Sequence, residues 1–344
     1  MLWGGAGTLQ AQEIVADTAQ TERQAEDLKE LANPGVIGMN RSKGLIVRYE
    51  FVPRFGVYAT AQQGGIPDSE KTAVRRNNKY EIKAYVPVVN NPHFKLVVGG
   101  GYFVEEYNFK RPEEEDYPLY KNLQDKDLRS ISGQVLMLKP LNEDNFLITR
   151  FKGELNGDYG KSNISLSKYL KSSLEAIYGW KKSPSFAWGV GVQLGYNFGR
   201  QTIYPAILYN RTFNERWGVE AIFPANVTLR RNFSEKSYLY MGYKVDGASY
   251  NINIDSPPFN SPPLSEIETI ELRKSEIRGR IRWEREIYDF LWFGLETGYR
   301  NILQFAAYDG ENVKANALIK NHMKDAVFLN VEIFLVPPRR FLKP

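Results

Sequence analysis

From Gly44 onward, apolar and polar residues alternate with a period of two over segments of about 9–15 residues, the pattern of a strand between an apolar and a polar medium. Residues 185–198 show it most clearly. Phe186, Trp188, Val190, Val192, Leu194, Tyr196 and Phe198 share one face, and Ala187, Gly189, Gly191, Gln193, Gly195 and Asn197 the other. Residues 276–288 repeat the arrangement with charge: Ile277, Gly279, Ile281, Trp283 and Ile287 oppose Arg278, Arg280, Arg282, Glu284 and Glu286, and only Arg285 interrupts the apolar face. Helix periodicity is nearly absent after Asn33.

The predicted strands are 44–62 (bent or split at Pro53), 79–89, 93–107, 128–139, 145–158, 168–181, 185–198, 201–211, 215–231, 235–250, 267–288, 290–304 and 325–336. Strands of soluble sandwiches run to about 5–6 residues, whereas about 9–11 cross a bilayer at a tilt. The predicted class is therefore all-β, a transmembrane antiparallel up-and-down β-barrel of 12–14 strands. Long loops at 63–78 and 108–127 alternate with tight turns at Asn90-Asn91-Pro92, at 141–144 and at Lys182-Ser183-Pro184. With 215–231 as one strand the count is thirteen and the alternation fails. A break at Pro224-Ala225-Asn226 gives fourteen and restores it, and twelve follows if a Pro-containing segment is no separate strand.

Composition permits this reading. A mean hydropathy of −0.44 and the lack of any run near the roughly 18 apolar residues of a spanning helix exclude helical membrane proteins. They do not exclude a barrel, whose lipid-facing and lumen-facing residues average out. With no Cys and two His among 344 residues, disulfide scaffolds, thiol nucleophiles and Cys- or His-rich metal centres are excluded, and no cofactor is expected. Residues 1–12 are uncharged and end in a small-residue pattern, which reads as the remnant of a signal peptide without its basic start. Residues 13–43 read as a short acidic periplasmic segment, 44–337 as the barrel and 338–344 as a tail. Glu13–Asn33 carries a net −4, leaving about +9 on the remainder, too mild for a nucleic-acid partner.

The arginine row is the most informative polar feature, because charges facing lipid near the midplane cost about 2–4 kcal/mol each. Arg278, Arg280, Arg282, Glu284 and Glu286 are thus placed in the lumen, with Lys171, Glu175, Glu220, Lys244 and Glu296 as further lining candidates. Such a row biases a pore toward anions. Equally, it pairs with acidic residues such as Glu296 or Asp246 in a ladder that closes a small lumen. His93 and His322 stand in no hydrolase motif, so no catalytic residue is assigned. The glycines at 99–101, 189, 191 and 195 lack the context of a phosphate loop and read as strand curvature. Trp180, Trp188, Tyr196, Tyr209, Trp217, Tyr238 and Trp292 are expected in interfacial girdles. The acidic run Glu113–Asp116 and the Pro-rich run 256–263 read as loops.

The stretch 184–250 resembles a family of bacterial outer-membrane β-barrel domains of unknown function. The resemblance rests on Trp188-Gly189-Val190-Gly191, Tyr196-Asn197-Phe198-Gly199-Arg200, Tyr204-Pro205, Tyr209, Asn214-Glu215-Arg216-Trp217, Pro224, Ser234-Glu235-Lys236 and Gly247-Ala248-Ser249-Tyr250. It implies location and architecture and supplies no activity. A departure is the C-terminus, where Pro337-Pro338 precedes Phe341 in place of a terminal aromatic residue. The expectation is a non-enzymatic outer-membrane barrel, a passive porin or small-solute channel. The alternative is a structural or interaction barrel with a closed lumen, acting through its extracellular loops. The expected partners are the lipid bilayer, lipopolysaccharide, the outer-membrane insertion machinery and small solutes.

Overall fold

A computed structural model of the chain describes residues 31–62, 66, 68–110, 117–160, 164–253, 267, 269–310 and 316–341. The expected signal remnant, the acidic stretch up to residue 30, the run Glu113–Asp116 and the Pro-rich run lie outside them. The strands are β1 (Leu45–Val52), β2 (Phe55–Ala61), β3 (Thr72–Asn91), β4 (Phe94–Phe109), β5 (Leu128–Pro140), β6 (Asn145–Gly157), β7 (Leu170–Ser183) and β8 (Phe186–Gly195). They continue as β9 (Thr202–Thr212), β10 (Trp217–Phe223), β11 (Asn226–Ser234), β12 (Ser237–Asn253), β13 (Thr269–Tyr288), β14 (Leu291–Asp309), β15 (Ile319–Met323) and β16 (Ala326–Leu335). Among the described residues two α-helices, α1 (Pro118–Lys126) and α2 (Leu166–Tyr169), sit in loops.

From β2 to β15 each strand pairs antiparallel with the next in sequence, and β1 pairs with both β3 and β16, which closes the sheet. Pro53 bends the first stave into β1 and β2, and the last stave bends between β15 and β16, so the sixteen strands make a fourteen-staved barrel. Closure leaves no unpaired edge, which a sheet in lipid requires. Outward Ile82, Val190, Val192, Ile281 and Ile333 are exposed and form the lipid-facing belt. The chain is therefore an outer-membrane β-barrel. Six of the seven short turns, all but Pro224-Ala225, share one end with residue 44 and residue 336, the periplasmic end by the usual asymmetry.

Fourteen staves is the upper end of the expected range, reached through the break at Pro224. β10 and β11 are unusually short, and the Val245 amide closes the hairpin tip by donating to the Ala225 carbonyl at 2.8 Å. Two loop expectations are revised, and the interval between the predicted strands 290–304 and 325–336 holds a further strand. Residues 72–78 belong to β3, 319–323 form β15, and 118–126 form α1, whose Leu119, Tyr120 and Leu123 are buried. A short helical apolar face does not show against a strand-period background.

In the extracellular half the outline narrows. Asn251 of β12 pairs in parallel with Gly157 of β6, six staves away. This approach needs glycine, because a Cβ on Gly157 would stand 2.7 Å from the Asn251 carbonyl oxygen and run into the Tyr169 ring. The Asp158 carboxylate accepts the Asn253 amide at 3.1 Å, the Asn253 side-chain amide donates to the Tyr169 hydroxyl at 2.8 Å, and Asn122 donates to the Asn253 carbonyl at 2.9 Å. Burial pushes the Asp158 carboxyl above the usual aspartate range.

On one side of this pinch, β1–β5 and β12–β16 enclose an apolar core in which Phe55, Phe109, Leu123, Tyr250, Ile252, Leu272, Phe305 and Phe328 are buried around α1. Each such side chain contributes about 1.5–3 kcal/mol by leaving water. On the other side β7–β9 stand apart. There β9 runs on past Ile207, the partner of the last β10 residue, and β12 runs on past Lys244, the last partner of β11.

Candidate functional site: a layered lumen and a side crevice

Residues 32–43 cross the periplasmic mouth as a strap. Its apolar residues Ala32 and Val36 pack on Phe146, Ile148, Ile177, Ala187, Ala206 and Leu208, the inward faces of β6–β9. Inward side chains hold its carbonyls: Asn210 donates to Pro34 at 2.7 Å, Thr212 to Ile37 at 2.6 Å, Lys181 to Gly35 and Arg230 to Gly38. Beyond the turn, Lys43 bonds Glu284 (2.7 Å) and Glu332, Asn40 donates to Glu284 at 2.9 Å, and Arg41 reaches Glu286 (3.3 Å) and Asp289 (3.1 Å). Arg41 and Lys43 also lie over the Trp292 and Phe334 rings, at 5.7 and 3.8 Å from the centroids.

Above the strap lies a chamber of about 530 Å³. Its walls carry seven basic side chains, among them Arg150, Lys152, Arg280 and Arg282, against three acidic ones, Glu154, Glu175 and Asp246. It shares Arg48, Lys83, Lys152 and Lys244 with a second space of about 220 Å³. Higher still, a buried ionic layer separates this space from the apolar core. Glu50 pairs with Lys79 at 2.9 Å and with Arg278, Lys79 with Glu276 at 3.4 Å, and Lys274 with Glu105 at 2.7 Å, while Arg300 donates to Asn77 at 3.1 Å. Such charges are stable here only because each has a counter-charge and hydrogen bonds in place.

The predicted lumen residues occupy different layers. Arg278 is locked in the ionic layer, with Asp246 at 3.8 Å. Arg280 and Arg282 border the chamber and pair with Glu296 and Glu284, each at 3.2 Å. Lys244 and Glu175 line the chamber, the first paired with Asp246, the second with Arg150 at 2.8 Å. Glu220 holds Arg230 at 2.8 Å beneath the strap, Glu286 belongs to the periplasmic rim, where Arg339 pairs with it at 2.6 Å, and Lys171 lies in a different space altogether.

That space is a crevice of about 1130 Å³ between β7–β9 and the tops of β13 and β14. Lys171, Arg200, Arg273 and Lys320 line it with Glu271, Tyr196 and Tyr308. Glu271 joins Lys171 at 3.1 Å and Arg273 at 2.6 Å. Loop 196–201 separates crevice from chamber, held by the Ser275 hydroxyl, which donates to the Asn197 carbonyl at 2.8 Å. It lies against Gly247, where any Cβ would meet the Tyr196 and Asn197 carbonyls.

Two girdle expectations are corrected. Tyr238 and Trp292 are buried inside the barrel with Tyr240 and Phe334, on the inward parity of their strands. Trp180 and Trp188 stack at 4.5 Å on the neighbouring strands β7 and β8. Arg150, Lys152 and Glu154 share one face of β6 and were legible by the parity argument applied to the arginine row, while the strap, lacking periodicity, left no signal. His322 stacks on Tyr58 at 4.5 Å, and His93 is exposed in the β3–β4 turn.

The family model described as a domain of unknown function (DUF6268) matches residues 106–334, two thirds of the chain. The chain belongs to this family. No curated protein matches it. Among solved structures, the DUF6268 barrel is similar to a COG4313 outer membrane channel from Pseudomonas putida F1 (11% identity, 87% of this chain and 98% of that one, TM-score 0.41). It is also similar to a Pseudomonas aeruginosa FadL homologue (9%, 85% and 90%, 0.36) and to the outer membrane protease OmpT of Escherichia coli (9%, 88% and 100%, 0.29).

Proposed function

We propose that this DUF6268 barrel is a gated passive channel for small anionic solutes, with the chamber as its conducting space, Arg280 and Arg282 as its selecting cations, and the strap as its periplasmic closure. The observation that carries the reading is that seven basic side chains against three acidic ones line water-accessible space in the middle of the membrane, while the carboxylates paired with Arg48, Lys83, Arg280 and Arg282 (Glu81, Glu332, Glu296 and Glu284) are not part of that lining. A low-dielectric wall strengthens the field of the charges that face the space and concentrates counter-ions there. Glu175, Lys244 and Glu296 tune that field by holding or facing the cations. A second reading, a closed barrel acting through its extracellular surface, draws on the strap and the apolar core, which obstruct both ends.

Planar-bilayer conductance of the refolded full chain tests the choice. The channel reading expects discrete steps with anions preferred, and a lower anion-to-cation permeability ratio when Arg280→Ser and Arg282→Ser are combined. A folded barrel that stays silent under all voltages sinks it and leaves the closed reading.

A further inference from the structure

The crevice is open to the side. Around the barrel β10–β13 lie between β9 and β14, yet Thr202 of β9 and Gln304 of β14 both line the crevice. This is possible because the β10–β11 hairpin ends at Pro224-Ala225, low in the wall, and the upper part of β12 has moved inward to meet β6. A slot is left above the hairpin. At its margin Phe198 and Ile203 are exposed, Ile203 at 71%.

Inside, the chemistry changes from apolar to cationic. Arg273 is 5% exposed and held by Glu271 and over the Tyr308 ring at 3.9 Å, and Lys171 is held by Glu271, so both stand preorganised. Arg200 and Lys320 are exposed and enter no ion pair among the described residues. Among the described residues four cations meet one carboxylate in a space larger than a single small solute needs. Arginine forks match oxyanions with two parallel donors, and a phosphate group offers three acceptor oxygens to several cations at once.

We infer that the crevice is a binding site for a phosphate-type oxyanion head group, presented by an amphiphile that enters through the slot with its apolar part along Phe198 and Ile203. Lys171 and Arg273 form the fixed floor, and Arg200 and Lys320 close on the anion from the rim. This site is distinct from the chamber, from which loop 196–201 separates it, and its occupancy does not depend on conduction.

The test is native mass spectrometry of the full chain in neutral detergent, titrated with lysophosphatidic acid, lysophosphatidylcholine of the same acyl chain, or inorganic phosphate. Saturable one-to-one binding of the phosphomonoester lipid is expected, weakened about tenfold or more in the Arg200→Gln/Lys320→Gln double variant, the loss of one charge-assisted contact or more. Both residues are exposed and enter no ion pair among the described residues, so the variant keeps its fold. Thr202→Trp, which places bulk in the crevice and leaves every charge in place, is expected to weaken binding independently. Inorganic phosphate that binds as tightly as the lipid and displaces it would overturn the lateral route and assign the site to a soluble phosphate ligand. Equal binding of both lipids, or binding indifferent to all three substitutions, would overturn the site itself. Silence in conductance together with intact lipid binding would remove the channel reading and leave this one standing.

Discussion

If the strap is the periplasmic closure, Arg230 is its main fastening. The side chain is fully buried, donates to the strap carbonyls of Gly38 and, at 3.4 Å, Ile37, and is itself fixed by Asn232 (2.8 Å), Thr212 (2.9 Å) and Glu220 (2.8 Å). Arg230→Met keeps the volume and removes the donors. A hydrogen bond from a charged donor contributes about 1.5–3 kcal/mol, and the longer bond to Ile37 adds little. The orphaned Glu220 side chain, 25% exposed, is destabilised whether the strap is seated or released, so its cost largely cancels in the opening equilibrium. Opening is therefore favoured by about 2–3 kcal/mol, which raises the open-to-closed ratio about 30- to 150-fold. The assay is single-channel open probability in planar bilayers, with Arg230→Met/Glu220→Gln beside it to remove the stranded carboxylate. Both variants are expected to open alike, with unchanged single-step size. An open probability equal to that of the wild type, with limited proteolysis showing a released strap, would refute the strap as the closure.

Two further substitutions test the walls of the lumen. Gly247→Val is expected to displace loop 196–197 from β12 and break the bond from the Ser275 hydroxyl, joining chamber to crevice. A cysteine-reactive probe applied from the extracellular side would then label Asn226→Cys at the chamber wall in the Gly247→Val background, and an unlabelled cysteine there would contradict the role given to the loop. Phe146→Ala empties the contact between the strap cluster and Gly179, and is expected to cost about 3–5 kcal/mol, read as a lower urea midpoint of the folded barrel. A loss below about 1 kcal/mol would show that the inward face of β6 carries no packed core.

The fold was legible because a barrel in lipid enforces one rule on every strand, and Phe186–Phe198 and the arginine row obey it. The site was not, because that rule changes within single strands. In the middle of β12 and β13 the even positions are polar, as in Lys244, Asp246, Arg278 and Arg280, whereas in the upper part they are the buried apolar Tyr250, Ile252, Ile270 and Leu272. The odd positions change in the opposite sense, from Val245, Ile277 and Ile281 to Ser249, Asn251, Glu271 and Arg273. A period of two persists through the exchange, so alternation alone reports a continuous strand. What the exchange records is that the upper strands bound a smaller barrel with an oily interior and a wet crevice outside it. Gly157 is the hinge of that arrangement, since β12 can lean in to β6 only where no Cβ stands between Asn251 and Tyr169. Gly157→Val is therefore expected to free the top of β12, expose the apolar core around Leu123 and Tyr250, and cost about 1–3 kcal/mol as an overpacked contact that must shift backbone. Hydrogen exchange should report it locally, with faster exchange at Ile252 and Ile270 and unchanged protection at Ile281 and Val331 in the membrane belt. Uniform loss of protection along β13 would mean that the two halves of the strand do not belong to separately packed layers, and the inside-out reading would fall with it.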